Sequence, residues 1–209
     1  MRRVAVFIDW QNCYHCAREA FHSEHEPSRY GNVRPKAFAE MLVEKGNFGD
    51  HLVHIGIYRG EPNPRKDPQT HAAHSRQRQA WMDECGDELL RVRTRALRYP
   101  PGRPMSDAEE KGVDVQLAID AMVMGLQDEY DLAILATADT DLLPAVEGLA
   151  ALRARTGKPD VALIGWAGTS QHLVAADTSV LWVGKKDYEV VRNRVDFNLS
   201  AADRNSPRR

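Results

Sequence analysis

Short apolar runs alternate with amphipathic stretches along most of this chain. Val4-Ala5-Val6-Phe7-Ile8 is apolar and rich in β-branched residues, as in a strand buried on both faces. His51 to Tyr58, Asp131 to Ala138 and Val161 to Trp166 read as further strands, with a sixth over Ser179 to Val183. Leu89 to Leu97 is different, because it alternates. Arg91, Arg93 and Arg95 point one way while Leu90, Val92, Thr94 and Ala96 point the other. One wet face marks an edge strand, and arginines there deter pairing with other chains. Helical periodicity fills the intervals, over Asn12 to Phe21, Arg34 to Lys45, Thr70 to Cys85, Gly112 to Leu126 and Leu142 to Arg155. Strands alternating with helices predict an α/β fold on a mainly parallel sheet. Loops are expected over Glu61 to Pro68 and over Arg98 to Glu110, where Pro100, Pro101, Gly102 and Pro104 cluster. From about Asp196 the chain is polar and aperiodic, which predicts a flexible tail over residues 196–209.

The 209 residues suit one domain, and 43% hydrophobic with 28% charged residues is ordinary for a globular protein. No apolar run approaches the roughly 20 residues of a membrane helix. The run after Met1-Arg2-Arg3 stops at Asp9, too short for a signal-peptide core, so a cytoplasmic location is expected. Three cysteines, Cys13, Cys16 and Cys85, do not suggest a disulfide scaffold.

Net charge is only −2, but the charges are segregated. Arg59 to Arg103 holds ten Lys/Arg against six Asp/Glu, and Pro104 to Glu147 holds eleven Asp/Glu against one Lys. The first region suits a polyanion and the second suits cations, although solvated surface explains both equally well.

Four acids stand in particular places. Asp9 follows the first strand, Asp139 and Asp141 follow the fourth, and Asp114 opens the helix leading into the fourth. Sites in open α/β sheets form beyond the carboxyl ends of strands where the strand order reverses. If the first and fourth strands are neighbours, Asp9, Asp139 and Asp141 share one crevice. Carboxylates crowded there repel one another, and a hard cation relieves them. An oxygen-only ligand set suits Mg²⁺ or Mn²⁺ rather than Zn²⁺. Singly, each acid also has an ordinary explanation: Asp141 as a helix N-cap, Asp9 as strand-end punctuation, Asp139 as a turn residue. Their joint placement favours a site.

Three motifs, in order, carry a family resemblance. Phe7-Ile8-Asp9-Trp10-Gln11-Asn12 resembles the Phe-Ile-Asp-x-x-Asn opening of NYN-domain proteins, a branch of the PIN-like nucleases. Lys111-Gly112-Val113-Asp114 resembles their Lys-Gly-Val-Asp, and Ala136-Thr137-Ala138-Asp139-Thr140-Asp141-Leu142 resembles their Ser-Gly-Asp-Ser-Asp-Phe. Thr137, Ala138 and Leu142 depart from that pattern while both carboxylates stay. The resemblance spans about residues 3 to 183. It implies a three-layer Rossmann-like sheet of order 3-2-1-4-5 within residues 1–195. It also implies that Asp9, Asp114, Asp139 and Asp141 hold one or two metals, with Asn12 hydrogen bonding at the site or capping a helix. Asp120, where related sequences often carry an acid, ranks second.

Binding residues are less sharply marked. Lys111 suits contact with a scissile phosphate or plain solvation. Arg59, Arg76 and Arg78, with Arg65, Lys66 and the aromatics Tyr58, Trp81 and Tyr99 nearby, suit single-stranded RNA through phosphate pairing and stacking. A solvated helix with Trp81 in the core is the equal alternative. Trp10 suits stacking on a base or covering the site. Cys13-Tyr14-His15-Cys16 has redox-motif spacing, but core packing is favoured, and His15, His22, His25, His71 and His74 read as scattered surface residues. The expected function is a Mg²⁺- or Mn²⁺-dependent endoribonuclease. The alternative is a catalytically silent module of the same fold that binds RNA or protein. A small-phosphoester hydrolase is weaker, because no Asp-x-Asp follows the first strand. Self-association into a homo-oligomer is compatible with either.

Overall fold

The six apolar runs become six strands of one sheet: β1 (Arg3–Asp9), β2 (His51–Glu61), β3 (Leu90–Ala96), β4 (Leu132–Ala136), β5 (Asp160–Trp166) and β6 (Ser179–Val183). The structure, a computed structural model, describes residues 1–46, 51–104, 107–169, 173–175 and 178–200. The strand order is β3-β2-β1-β4-β5-β6 and every neighbouring pair is parallel. The expected order 3-2-1-4-5 therefore holds, with β6 added outside β5. β3 lies at one edge, and Arg91, Arg93 and Arg95 on it are exposed.

The helices are α1 (Trp10–Phe21), α2 (Pro35–Lys45), α3 (Pro68–Cys85), α4 (Val113–Leu126), α5 (Leu143–Thr156) and α6 (Lys185–Val191), with a 3₁₀ turn, Thr140–Leu142, before α5. The first five lie within two residues of their expected ends. The short helix α6 was not anticipated, because its 7 residues span too few turns for periodicity to show.

Alternation along β1 feeds two cores, which makes the fold three-layered. Val4, Val6 and Ile8 pack with Cys13 of α1, Phe38 and Leu42 of α2, Trp81 of α3 and Tyr188 of α6. Ala5 and Phe7 pack on the other face with Leu117 and Ala121 of α4 and Val146 and Leu149 of α5. The connection leaving β1 thus runs over one face and the α4 connection entering β4 over the other. The crevice between the carboxyl ends of β1 and β4 is the open switch point of the sheet.

The stretch expected as a tail begins with packed residues. Phe197 is buried, its carbonyl accepts hydrogen bonds from Arg76 of α3, and Asp196 pairs with Arg29 at 3.6 Å. The remainder of that stretch, 201–209, and residues 105 and 106 of the expected Arg98 to Glu110 loop lie outside the described residues. Among the described residues, no helix is long and apolar enough to cross a membrane.

Candidate active site

Asp9 ends β1 and is only 4% exposed. One carboxylate oxygen accepts the Asn12 backbone N–H at 3.1 Å, which makes Asp9 the N-cap of α1; the other accepts the Thr137 hydroxyl at 3.1 Å. Across the switch point, Asp139 leaves β4. Its N–H donates to Thr137 Oγ1 at 3.1 Å, and its carboxylate accepts the Asp141 N–H at 2.9 Å. Asn12 Oδ1 accepts the Ala138 N–H at 2.8 Å and so ties the loop after β4 to α1. Asp114 arrives from the opposite layer, in the first turn of α4. Gly112 caps that helix in the left-handed region, φ 76°, a conformation cheap only for glycine. One oxygen from each of Asp9, Asp114 and Asp139 lies within 4.8 Å of the other two.

Two of these carboxylates, Asp9 and Asp114, are pushed against ionisation. Burial, reinforced by the charges of Asp114 and Glu110, pushes the Asp9 carboxyl up to about 7 despite the hydrogen bonds from Asn12 and Thr137. Burial and then the charge of Asp139 raise Asp114, with a smaller contribution from Asp141. Three crowded oxygen donors match a hard divalent cation, whose charge would reverse this cost.

The other expected residues divide. Asp141 is exposed and outside the three-carboxylate cluster, although its charge is felt by Asp114. It is not a cap either: Asp139 caps the 3₁₀ turn and Leu142 stands at the N-cap of α5. Asn12 caps no helix and acts as the tie described above. Lys111 is exposed. Asp120 points elsewhere, accepting hydrogen bonds from Tyr58, Arg93 and Gln116. Arg59 is buried, Arg76 holds the Phe197 and Asn198 carbonyls, and Arg78 is exposed on α3. Glu110 was missed. It is half-buried, accepts the Gly60 N–H at 2.5 Å, and burial raises its carboxyl. Its signal was position alone, directly before the Lys111-Gly112-Val113-Asp114 motif.

Competing constellations dissolve. Cys13 is buried with its thiol on the Ala136 carbonyl, and burial pushes its thiol well up and that of Cys16 up to about 11, the reverse of a reactive pair. Trp81 lies in the core and Trp10 packs on it, ring centroids 4.3 Å apart. His22 binds the Tyr188 hydroxyl and His71 the Pro62 carbonyl. Among the described residues, the aspartate trio alone has metal-ligand spacing.

Beside the cluster a groove of about 440 Å³ opens between α1 and α3, bounded by Trp10, Tyr14, Asn32, Arg59, Glu110 and Phe197. Trp10 follows Asp9 directly, and Glu110 belongs both to the groove wall and to the field of the acids.

An all-parallel α/β sheet with acids from two adjacent strand ends and a facing helix makes this a candidate metal centre at the switch point of the sheet. The sequence model of the NYN domain matches residues 3–194, nearly the whole chain, and the protein belongs to that family of PIN-like nucleases. A solved structure of a protein of unknown function from Vibrio parahaemolyticus is similar at 22% identity with a TM-score of 0.52, covering 86% of this chain and 93% of that one. That likeness shows the fold alone. No curated protein matches the chain.

Proposed function

We propose that this protein is a divalent-metal-dependent endoribonuclease that hydrolyses phosphodiester bonds of single-stranded RNA. The observation that carries this reading is the convergence of Asp9, Asp114 and Asp139 from three elements onto one point. These three would hold Mg²⁺ or Mn²⁺, with Asp141 adding charge at the rim. The bound ion would supply an activated water and charge stabilisation at the phosphate. The chain's own residues do the positioning. Thr137 spaces Asp9 from Asp139, and Asn12 fixes the loop that carries Asp139. Lys111, exposed beside Gly112, and Arg78, exposed on α3, are free to meet RNA phosphates. The bound single strand would lie in the groove between α1 and α3. A homo-oligomer would find its most apolar exposed surface on α4, at Val115, Ile119, Val123 and Leu126.

The test is cleavage of mixed RNAs in Mg²⁺, Mn²⁺ or EDTA by wild type and Asp139→Asn. Cleavage should require metal and fall about a hundredfold or more in the variant. Undiminished cleavage by Asp139→Asn would trace the activity to another site or a contaminant. No cleavage under any metal would leave a silent module of the same fold.

A further inference from the structure

Arg59 leaves the carboxyl end of β2 and lies on the groove floor, 6% exposed. A guanidinium has five N–H donors, and its described hydrogen bonds use two, one to Gln77 Oε1 at 2.7 Å and one to His74 Nε2. The Nε–H is buried with no partner. Among the described residues no carboxylate pairs with Arg59. Because His74 accepts through Nε2, its proton sits on Nδ1, which is also buried without a partner. The groove's carboxylates are engaged elsewhere: Asp67 caps α3, Asp196 pairs with Arg29, and Glu110 accepts the Gly60 N–H. A stacking contact helps only in part, the guanidinium carbon lying 5.5 Å from the Trp81 ring centre. A buried cation with unused donors normally has a counter-ion. Burial pushes Arg59 down to about 10 even though the charges of Glu61 and Glu110 act to raise it, and an anion in the groove would offset the cost that remains.

We propose that the floor of the α1–α3 groove is a phosphate receptor, in which Arg59, with His74 beside it, takes a phosphate of the bound strand other than the one that is cut. The planar fork suits two phosphate oxygens at once. Tyr14 and Trp10 line the same groove, and Trp10 directly follows Asp9 in the chain. That the phosphate belongs to RNA rests on the ribonuclease reading; the receptor itself does not. The phosphate is either a strand's terminal monoester or an internal diester.

Calorimetry in EDTA, where no metal-dependent cleavage occurs, tests this with inorganic phosphate, adenosine 5′-monophosphate and adenosine. Wild type and Asp139→Asn should bind the two phosphates and not adenosine, and Arg59→Gln should weaken that binding at least about tenfold. Unchanged affinity in Arg59→Gln, or no phosphate binding by wild type, overturns the receptor. If Arg59→Gln does not fold, the His74 ring signals of wild type decide: a shift on adding phosphate supports the receptor and no shift overturns it. Anisotropy with one RNA bearing either a 5′-phosphate or a 5′-hydroxyl separates the sources. A terminal seat prefers the phosphorylated end, and an internal seat treats both alike while still needing Arg59. Arg59-dependent phosphate binding in a protein that cleaves no RNA would leave the receptor standing and remove the ribonuclease.

Discussion

At the scale of residues, the aspartates are costly to the fold as it stands. Asp114 is half-buried against Asp139 and Asp141, so its charge is opposed by both burial and neighbours. Asp114→Asn keeps the shape and removes one charge. It should hold or raise the melting temperature in EDTA while losing most of the Mn²⁺ response. Wild type should gain about 2.7 kcal/mol at a hundredfold excess of metal over its dissociation constant. Differential scanning fluorimetry in Mn²⁺ and in EDTA reads both effects, and equal shifts in the two proteins would sink the metal centre. Active sites commonly trade stability for function in this way. Two arginines two residues apart, on opposite sides of α3, part company on the same scale. Arg76 donates to the carbonyls of Phe197 and Asn198, whereas Arg78 is exposed. Arg76→Ala should therefore lower the melting temperature, and Arg78→Ala should leave it unchanged while reducing the salt dependence of RNA binding.

At the scale of elements, the loop after β4 is held by α1. Asn12→Ala removes the acceptor of the Ala138 N–H, which should cost about 1–3 kcal/mol in chemical denaturation and weaken metal binding, because Asp139 is carried on that loop. A loss of stability with an unchanged metal response would mean that the loop keeps its shape without the tie. At the amino end of the sheet the charges are complementary. Arg3, opening β1, bonds Asp131 just before β4 and also Asp128. Hydrogen bonding to Arg3 holds the Asp131 carboxyl well below the usual carboxylate range. A carboxyl with a lowered folded-state pKa stabilises the fold above its unfolded pKa, near 4, and loses that contribution as pH falls through the folded value. Asp131→Asn should accordingly be less stable than wild type at pH 7. The difference should shrink as the pH drops below about 4, in melting temperatures recorded from pH 7 to pH 2.

At the scale of the whole molecule, the last described residues close the groove side of α3. Phe197 is 8% exposed and lies far in sequence from the helix that holds it. Phe197→Ala should destabilise the protein, by less than the ~3–5 kcal/mol typical of a phenylalanine deep in a core, because this one sits at the edge. An unchanged urea midpoint would show that the segment contributes nothing to the fold. Both cores meet on β1, whose two faces pack against opposite helix layers, so Asp9 at its end stands on the strand that both cores share. A side chain placed at a strand end in this way is held more precisely than one on a loop, which is why Asp139 needs the Asn12 tie.

Much of this was written in local sequence. The apolar runs and their spacing specified a parallel α/β sheet, the alternation of Arg91, Arg93 and Arg95 marked β3 as an edge, and three motifs put Asp9, Asp114 and Asp139 at element ends. Such features are local because strand burial and helix faces repeat with fixed periods. Partnership is not local. That Asp141 faces solvent, that Asp120 is satisfied by Tyr58 and Arg93, and that Glu110 reaches Gly60 all depend on contacts across distant segments. The arginines make the point most sharply. Arg59, Arg76 and Arg78 read alike along the chain, but the fold buries the first against His74 and Gln77, spends the second on Phe197 and leaves the third in water. Charge is a property of the residue, whereas the cost of that charge is set by which groups and how much water surround it, and only the tertiary structure decides those.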